Sequence, residues 1–148
     1  MFATRRHLAG LLALILMSLP LLGAMGQDPG HDDETPLMQQ MQVLKSGMKG
    51  LRRSLRDPEN RAGSLATVLE MQVASQMAKT EVPAMTGSLA EAEREAFVAA
   101  YRADMVEMQK GLLDLELALL AGDDEKAAEV YQQLKDREDA GHERFTAD

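Results

Sequence analysis

Residues 36–55 read PLMQQMQVLKSGMKGLRRSL, and the spacing of their large apolar side chains decides the fold class. Leu37, Met41, Leu44, Met48, Leu51 and Leu55 advance by 4, 3, 4, 3 and 4 residues. That is the step of one side of an α-helix, and of a seam that packs on other helices. Thr35 before Pro36 marks the start. A threonine hydroxyl accepts a first-turn amide, and proline, which has no N–H, suits the first helical position. Asp57-Pro58 marks the end, because a proline ring pushes the preceding residue out of helical conformation. Gly47 and Gly50 lower the intrinsic helix propensity, so the segment needs packing to hold it.

Three more helices are predicted downstream. From about Asn60 to Lys79, Leu65, Leu69, Val73 and Met77 advance by four and are expected to form the buried face. Thr80 to Gly87 reads as a loop, with Pro83 and Gly87 as breakers. Ser88 and Glu91 fit a capping box that opens a third helix through Phe97, Tyr101, Met105, Met108, Leu112, Leu115 and Leu119, with Gly122 as its stop. The fourth starts at Asp123 or Asp124, carries Ala127, Val130, Tyr131 and Leu134, and reaches His142. Neither strand alternation nor a 20–50-residue repeat is present. The predicted fold class is all-α: an antiparallel up-down-up-down four-helix bundle over residues 36–148, with connections short enough to make sequential helices antiparallel.

Residues 1–26 read as a cleavable secretory signal peptide. Arg5 and Arg6 form a basic start, Leu8 to Leu22 an apolar run, and Ala24-Met25-Gly26 a small-x-small cleavage site. The run is short for a bilayer span and holds Pro20, so no membrane anchor is expected after cleavage. Residues 27–35 form a mobile polar leader. His31 lies there among Asp32, Asp33 and Glu34, where the ordinary reading is a solvated acidic tail. The expected location is the periplasm. The chain has no cysteine, so neither disulfides nor c-type covalent haem attachment at C-x-x-C-H is open to it. Removing the signal, with two basic residues and no acid, takes the net charge from −8 to −10. That argues against a nucleic-acid partner, which selects basic faces, and suits steering toward basic partners.

The end of the fourth helix, 132–145, reads QQLKDREDAGHERF. After Leu134 only His142 and Phe145 have bulk to bury, so a stripe through Ala140, Gly141 and His142 would leave a hole. His142 is eleven residues after Tyr131 and returns to within about 20° of it, at about 100° per residue, so it is expected to point inward. Antiparallel helices would bring Met41, Met77, Phe97, Tyr101 and His142 toward one end. An imidazole and a thioether suit the two axial positions of haem iron, and with both occupied the expected chemistry is electron transfer rather than catalysis. Phe97 and Tyr101 would offer aromatic walls. Lys79, Arg94, Arg137 and Arg144 are the basic residues near that end. No acid–base pair, nucleophile or glycine-rich loop points to an enzyme.

Three passages together resemble the cytochrome b562 family of periplasmic b-type cytochromes: Leu37-x-x-x-Met41-x-x-Leu44, Phe97-x-x-x-Tyr101, and QLK-x-x-x-x-A-x-H from Gln133 to His142. The resemblance covers about Leu37 to Phe145. It implies one non-covalent haem b (heme b, iron protoporphyrin) held by Met41 and His142, aromatic contacts from Phe97 and Tyr101, and periplasmic redox partners for a monomer or weak oligomer. Two positions depart from the family: Glu138 where it can carry Arg, and Gly141 where it has an aromatic residue. The alternative is a haem-free periplasmic bundle whose Met-rich acidic helices bind metal or, like a small chaperone, other proteins.

Overall fold

The computed structural model describes residues 34–146. The expectations for the signal peptide, for most of the polar leader and for His31 lie outside them. Among the described residues the structure is entirely helical, with no strand. Four α-helices, α1 (Pro36–Ser54), α2 (Arg61–Ala78), α3 (Glu91–Ala121) and α4 (Asp124–Phe145), are joined by short 3-10 turns at Pro58–Asn60 and Ala84–Ser88.

The helix ends follow local chemistry. Thr35 caps α1, its hydroxyl accepting the Met38 amide at 3.2 Å. Asp57 caps the turn at Pro58 in the same way, accepting the Glu59 amide. Gly122 stops α3 in the left-handed conformation at φ 71°, which an L side chain rarely adopts. Asp123 then caps α4 through the Lys126 amide. The expected capping box does not form. α3 opens two residues later, at Ala90–Glu91, and Ser88 donates instead to the Met85 carbonyl inside the preceding 3-10 turn.

Contacts between helices set their directions. Ser64, near the start of α2, donates to Ser54 at the end of α1, while Gly47 further back faces Met71 further on. Tyr101 reaches the carbonyl of Ala78, and Gln72 reaches Glu116. Arg137 pairs with Asp104, and Leu134 packs over Gly111. Each consecutive pair is therefore antiparallel. Leu51, Val68, Met71, Leu112, Leu115 and Leu134 form the most deeply buried part of the core.

Helix α2 does not bury the face that its spacing suggests. Leu69, Val73 and Met77 are exposed, and the core side is Ser64, Val68, Met71, Ala74, Ser75 and Ala78. Proximity explains the choice. A Cβ on Gly47 would lie 2.5 Å from Met71, so α1 and α2 run too close for leucines along the whole contact. Small side chains win the inward position.

Candidate functional site

One end of the molecule gathers the starts of α1 and α3 and the ends of α2 and α4. Its centre is filled. Phe145, only 8 % exposed, packs edge-on against Phe97 at 5.4 Å and against Tyr101 at 5.5 Å. Such edge-to-face pairs are favoured by the ring quadrupoles. Tyr101 is 3 % exposed and donates to the Ala78 carbonyl at 2.9 Å. Burial, and secondarily the carboxylate of Glu81, push its hydroxyl from 10.0 up to about 12. Its ring belongs to the core of this end.

The inward stripe of α4 is Leu134, Glu138, Gly141 and Phe145, not a line through His142. Glu138 is half-buried beside Lys135, at 3.5 Å. Gly141 is where α4 closes on α3, since a Cβ there would lie 3.3 Å from an oxygen of Asp104. The expected hole is thus occupied by the last bulky residue of the helix. His142 lies about 60° around the helix from Phe145, at 100° per residue, and its side chain is exposed. Met77 also stands apart from the expected constellation, on the outer side of α2 and 51 % exposed.

Met41 and His142 nevertheless share a boundary, the seam between α1 and α4. On α1, Gly47 faces α2 through Met71, whereas Met48 offers its carbonyl to the Tyr131 hydroxyl of α4 at 3.2 Å. Met41 lies about 120° around from Gly47 and within about 20° of Met48, so it occupies the flank toward α4. His142 shares the flank of Tyr131, which faces α1. Measured from the Tyr131–Met48 bond toward the filled end, Met41 lies about 10 Å along α1 and His142 about 16 Å along α4, at 1.5 Å per residue. Helical side chains lean toward their own N-terminus. The lean carries Met41 toward the end and His142 back from it, so the two converge in depth. Met41 is half-buried against the core. Among the described residues, nothing hydrogen-bonds to the His142 ring, while its backbone carbonyl takes Thr146.

The approach here is sparse, for α1 nears α4 over far less of its length than it nears α2. The donor set suits haem iron: one neutral-capable imidazole, one thioether, and no thiolate. Phe97, Tyr101 and Phe145 pack on one another edge to face, which leaves no room for a flat ring among them. Of the basic residues near this end, Arg137 is engaged by Asp104, Arg94 donates to the carbonyls of Leu89 and Gly87, and Lys79 donates to Gln76. Arg144 stands over the Phe145 ring at 5.1 Å with its charge toward solvent.

Among the described residues no three His, Asp or Glu side chains converge as a metal site, and no helix is long and apolar enough to cross a membrane. Comparison with protein-family models, with curated proteins and with solved structures finds no match to this chain.

Proposed function

We propose that the four helices close as an antiparallel up-down-up-down bundle, exported to the periplasm by residues 1–26, and that the protein carries electrons on one non-covalent b-type haem. In this reading the haem lies in the α1–α4 seam, with Met41 and His142 as axial ligands. One observation supports it: Met41 is half-buried and His142 exposed on α1 and α4, two helices that approach each other only sparsely. The bound group would supply one-electron transfer. The residues around it do the rest. Met41 favours the reduced iron and raises the potential, and Phe145 with Tyr101 and Phe97 keeps water from the inner edge. Arg144, over the Phe145 ring, would offer a cation at the rim, while Glu138 would oppose a high potential by placing negative charge near the iron.

Titrating the purified protein with haemin tests this. One equivalent is expected to bind and, on reduction, to give the sharp bands of a low-spin haem. His142→Ala should lose most of the binding, and Met41→Ala should keep haem in a high-spin or mixed-ligand form with a lower potential. A protein that takes up no haemin at micromolar concentration, or variants that keep the wild-type spectrum, would overturn the assignment.

A second reading, a haem-free partner-binding helical protein, draws on a different observation. Phe145 already completes the core at this end, so the fold needs no cofactor to fill it. The same titration separates the two readings.

A further inference from the structure

We infer that the exposed side of α1 is an electrostatic contact surface for an anionic lipid membrane, carried by Lys45, Lys49, Arg52, Arg53 and Arg56. The row shadows the buried seam. Lys45, Lys49, Arg52 and Arg56 each stand one residue after a seam residue, Leu44, Met48, Leu51 and Leu55. One residue is about 100° of turn, so the four repeat the seam's spacing on the neighbouring side of the helix. Arg53 widens the row, and Arg56 continues it into the turn after α1. All five are exposed. The line runs about 17 Å from Lys45 to Arg56, at 1.5 Å per residue. Met38 and Gln42 extend it toward the start of α1 without an acid.

Charge in this chain is segregated rather than mixed. α1 has no carboxylate, whereas α3 and α4 hold seven each. Residues 36–56 carry +5 in a chain of net charge −8. Among the described residues none of the five cations is in an ion pair; the carboxylates pair with Arg61, Lys110, Lys126, Lys135 and Arg137 instead. Helix stability explains only part of the row. Arg52 and Arg53 lie in the last turn of α1, where cations favour the helix dipole. Lys45 and Lys49 are more than a turn from that end. Like charges three or four residues apart also repel, and Lys49 stands at such spacing from Lys45, Arg52 and Arg53. α3 and α4 answer cations with acids at that spacing, as at Lys110 with Glu107 and Lys126 with Glu129. α1 leaves its cations to an anion from outside.

The occupant follows from what the row lacks. Protein interfaces are centred on apolar or aromatic anchors and are poor in lysine, whereas this row holds cations alone. Single-stranded nucleic acid is held by stacking on aromatic side chains, and Phe97, Tyr101, Tyr131 and Phe145 are all on α3 and α4. A membrane surface is flat and asks only for cations in a line, each worth about a fivefold gain in binding near anionic lipid. Segregated charge also turns α1 toward such a surface. The apolar seam of α1 is engaged in the core, so the contact is peripheral and salt-sensitive rather than inserted.

Flotation of the purified protein with phosphatidylcholine vesicles, pure or with roughly one-third phosphatidylglycerol, tests this without haem. Anionic vesicles are expected to bind more strongly than neutral ones in about 20 mM salt. That preference should vanish in about 300 mM salt, where the screening length falls from about 20 Å to about 6 Å. Lys45→Gln combined with Lys49→Gln should keep wild-type helicity and weaken binding to anionic vesicles on the order of twentyfold. Lys110→Gln combined with Lys126→Gln changes the net charge equally but leaves the row intact, and should bind much as wild type does. The inference is overturned by equal binding to neutral and anionic vesicles, by a folded row variant that binds as wild type does, by equal losses in the two double variants, or by tighter binding to duplex DNA or to polyglutamate than to the vesicles.

Discussion

The seam between α2 and α3 and the seam between α1 and α4 are built on opposite principles. The first is locked by Tyr101 on the Ala78 carbonyl and by Gln72 on Glu116, over fully buried Met71 and Leu112. The second has one side-chain hydrogen bond among the described residues, from Tyr131 to Met48, and beyond it Met41 is half-buried and His142 exposed. On the proposed haem reading, stability and ligand capacity would be kept in separate places. Interior packing at crystal-like density leaves no room for a guest, so a helical protein that binds something between its helices has to leave one seam short of that density.

The largest expected effect contrasts the two seams directly. Leu112→Ala removes a fully buried side chain and should cost about 3 kcal/mol of unfolding free energy, within the usual range for core truncation. Met41→Ala, at the half-buried seam, should cost about half as much in haem-free protein. Denaturant titration of both variants checks this, and equal losses would mean that the α1–α4 seam is as tightly packed as its neighbour.

Alkaline pH probes the locked seam next. The folded Tyr101 hydroxyl, held at about 12 against 10.0 by burial and then by Glu81, keeps its proton more tightly than in the unfolded chain. Its contribution is therefore intact below about pH 10 and is lost as pH rises through about 12, a change of about 2–3 kcal/mol. Melting temperature followed from pH 9 upward should fall in wild type, and in Tyr101→Phe the fall should be shallower. At neutral pH that variant should lose only about 1 kcal/mol for its hydrogen bond.

Smaller effects sharpen the contrast. Tyr131→Phe should cost about 1 kcal/mol or less and raise amide exchange at the end of α4 more than in α2 or α3. Ser75→Ala should stabilise by about 1 kcal/mol, because its hydroxyl is buried on α2 without a hydrogen-bond partner and alanine is also the better helix former. Chemical denaturation of the two variants is the measurement for both.

Much of the helix plan was legible because it is local. The six-residue seam of α1 places Leu44, Met48 and Leu51 in the core, with Leu37, Met41 and Leu55 packed beside it. The row Leu65, Leu69, Val73 and Met77 misled beyond Leu65, which does pack against the core, because α2 has two apolar sides and periodicity cannot rank them. Large side chains in register look more core-like than Ala74, Ser75 and Ala78. The signal in the sequence was the near absence of charge along α2, which points to a helix apolar all round rather than to one face. At the candidate site, the relation of Met41 to His142 was legible as antiparallel helices placing both toward one end. The role of Phe145 was missed. It follows the same four-and-three spacing from Leu134 through Glu138 and Gly141, and was passed over because a glutamate and a glycine interrupted an apolar row.

The sequence by itself determined where α1 begins, where α3 stops and where α4 begins, since a threonine or aspartate hydrogen-bonding a first-turn amide, a proline, and a glycine at positive φ act within a few residues. Only the tertiary structure decided which side of α2 is buried and how the end of α4 is turned, with Phe145 inward and His142 exposed. Those outcomes depend on how closely neighbouring helices approach, and that distance is fixed by pairs such as Gly47 with Met71 and Gly141 with Asp104, whose members lie far apart along the chain.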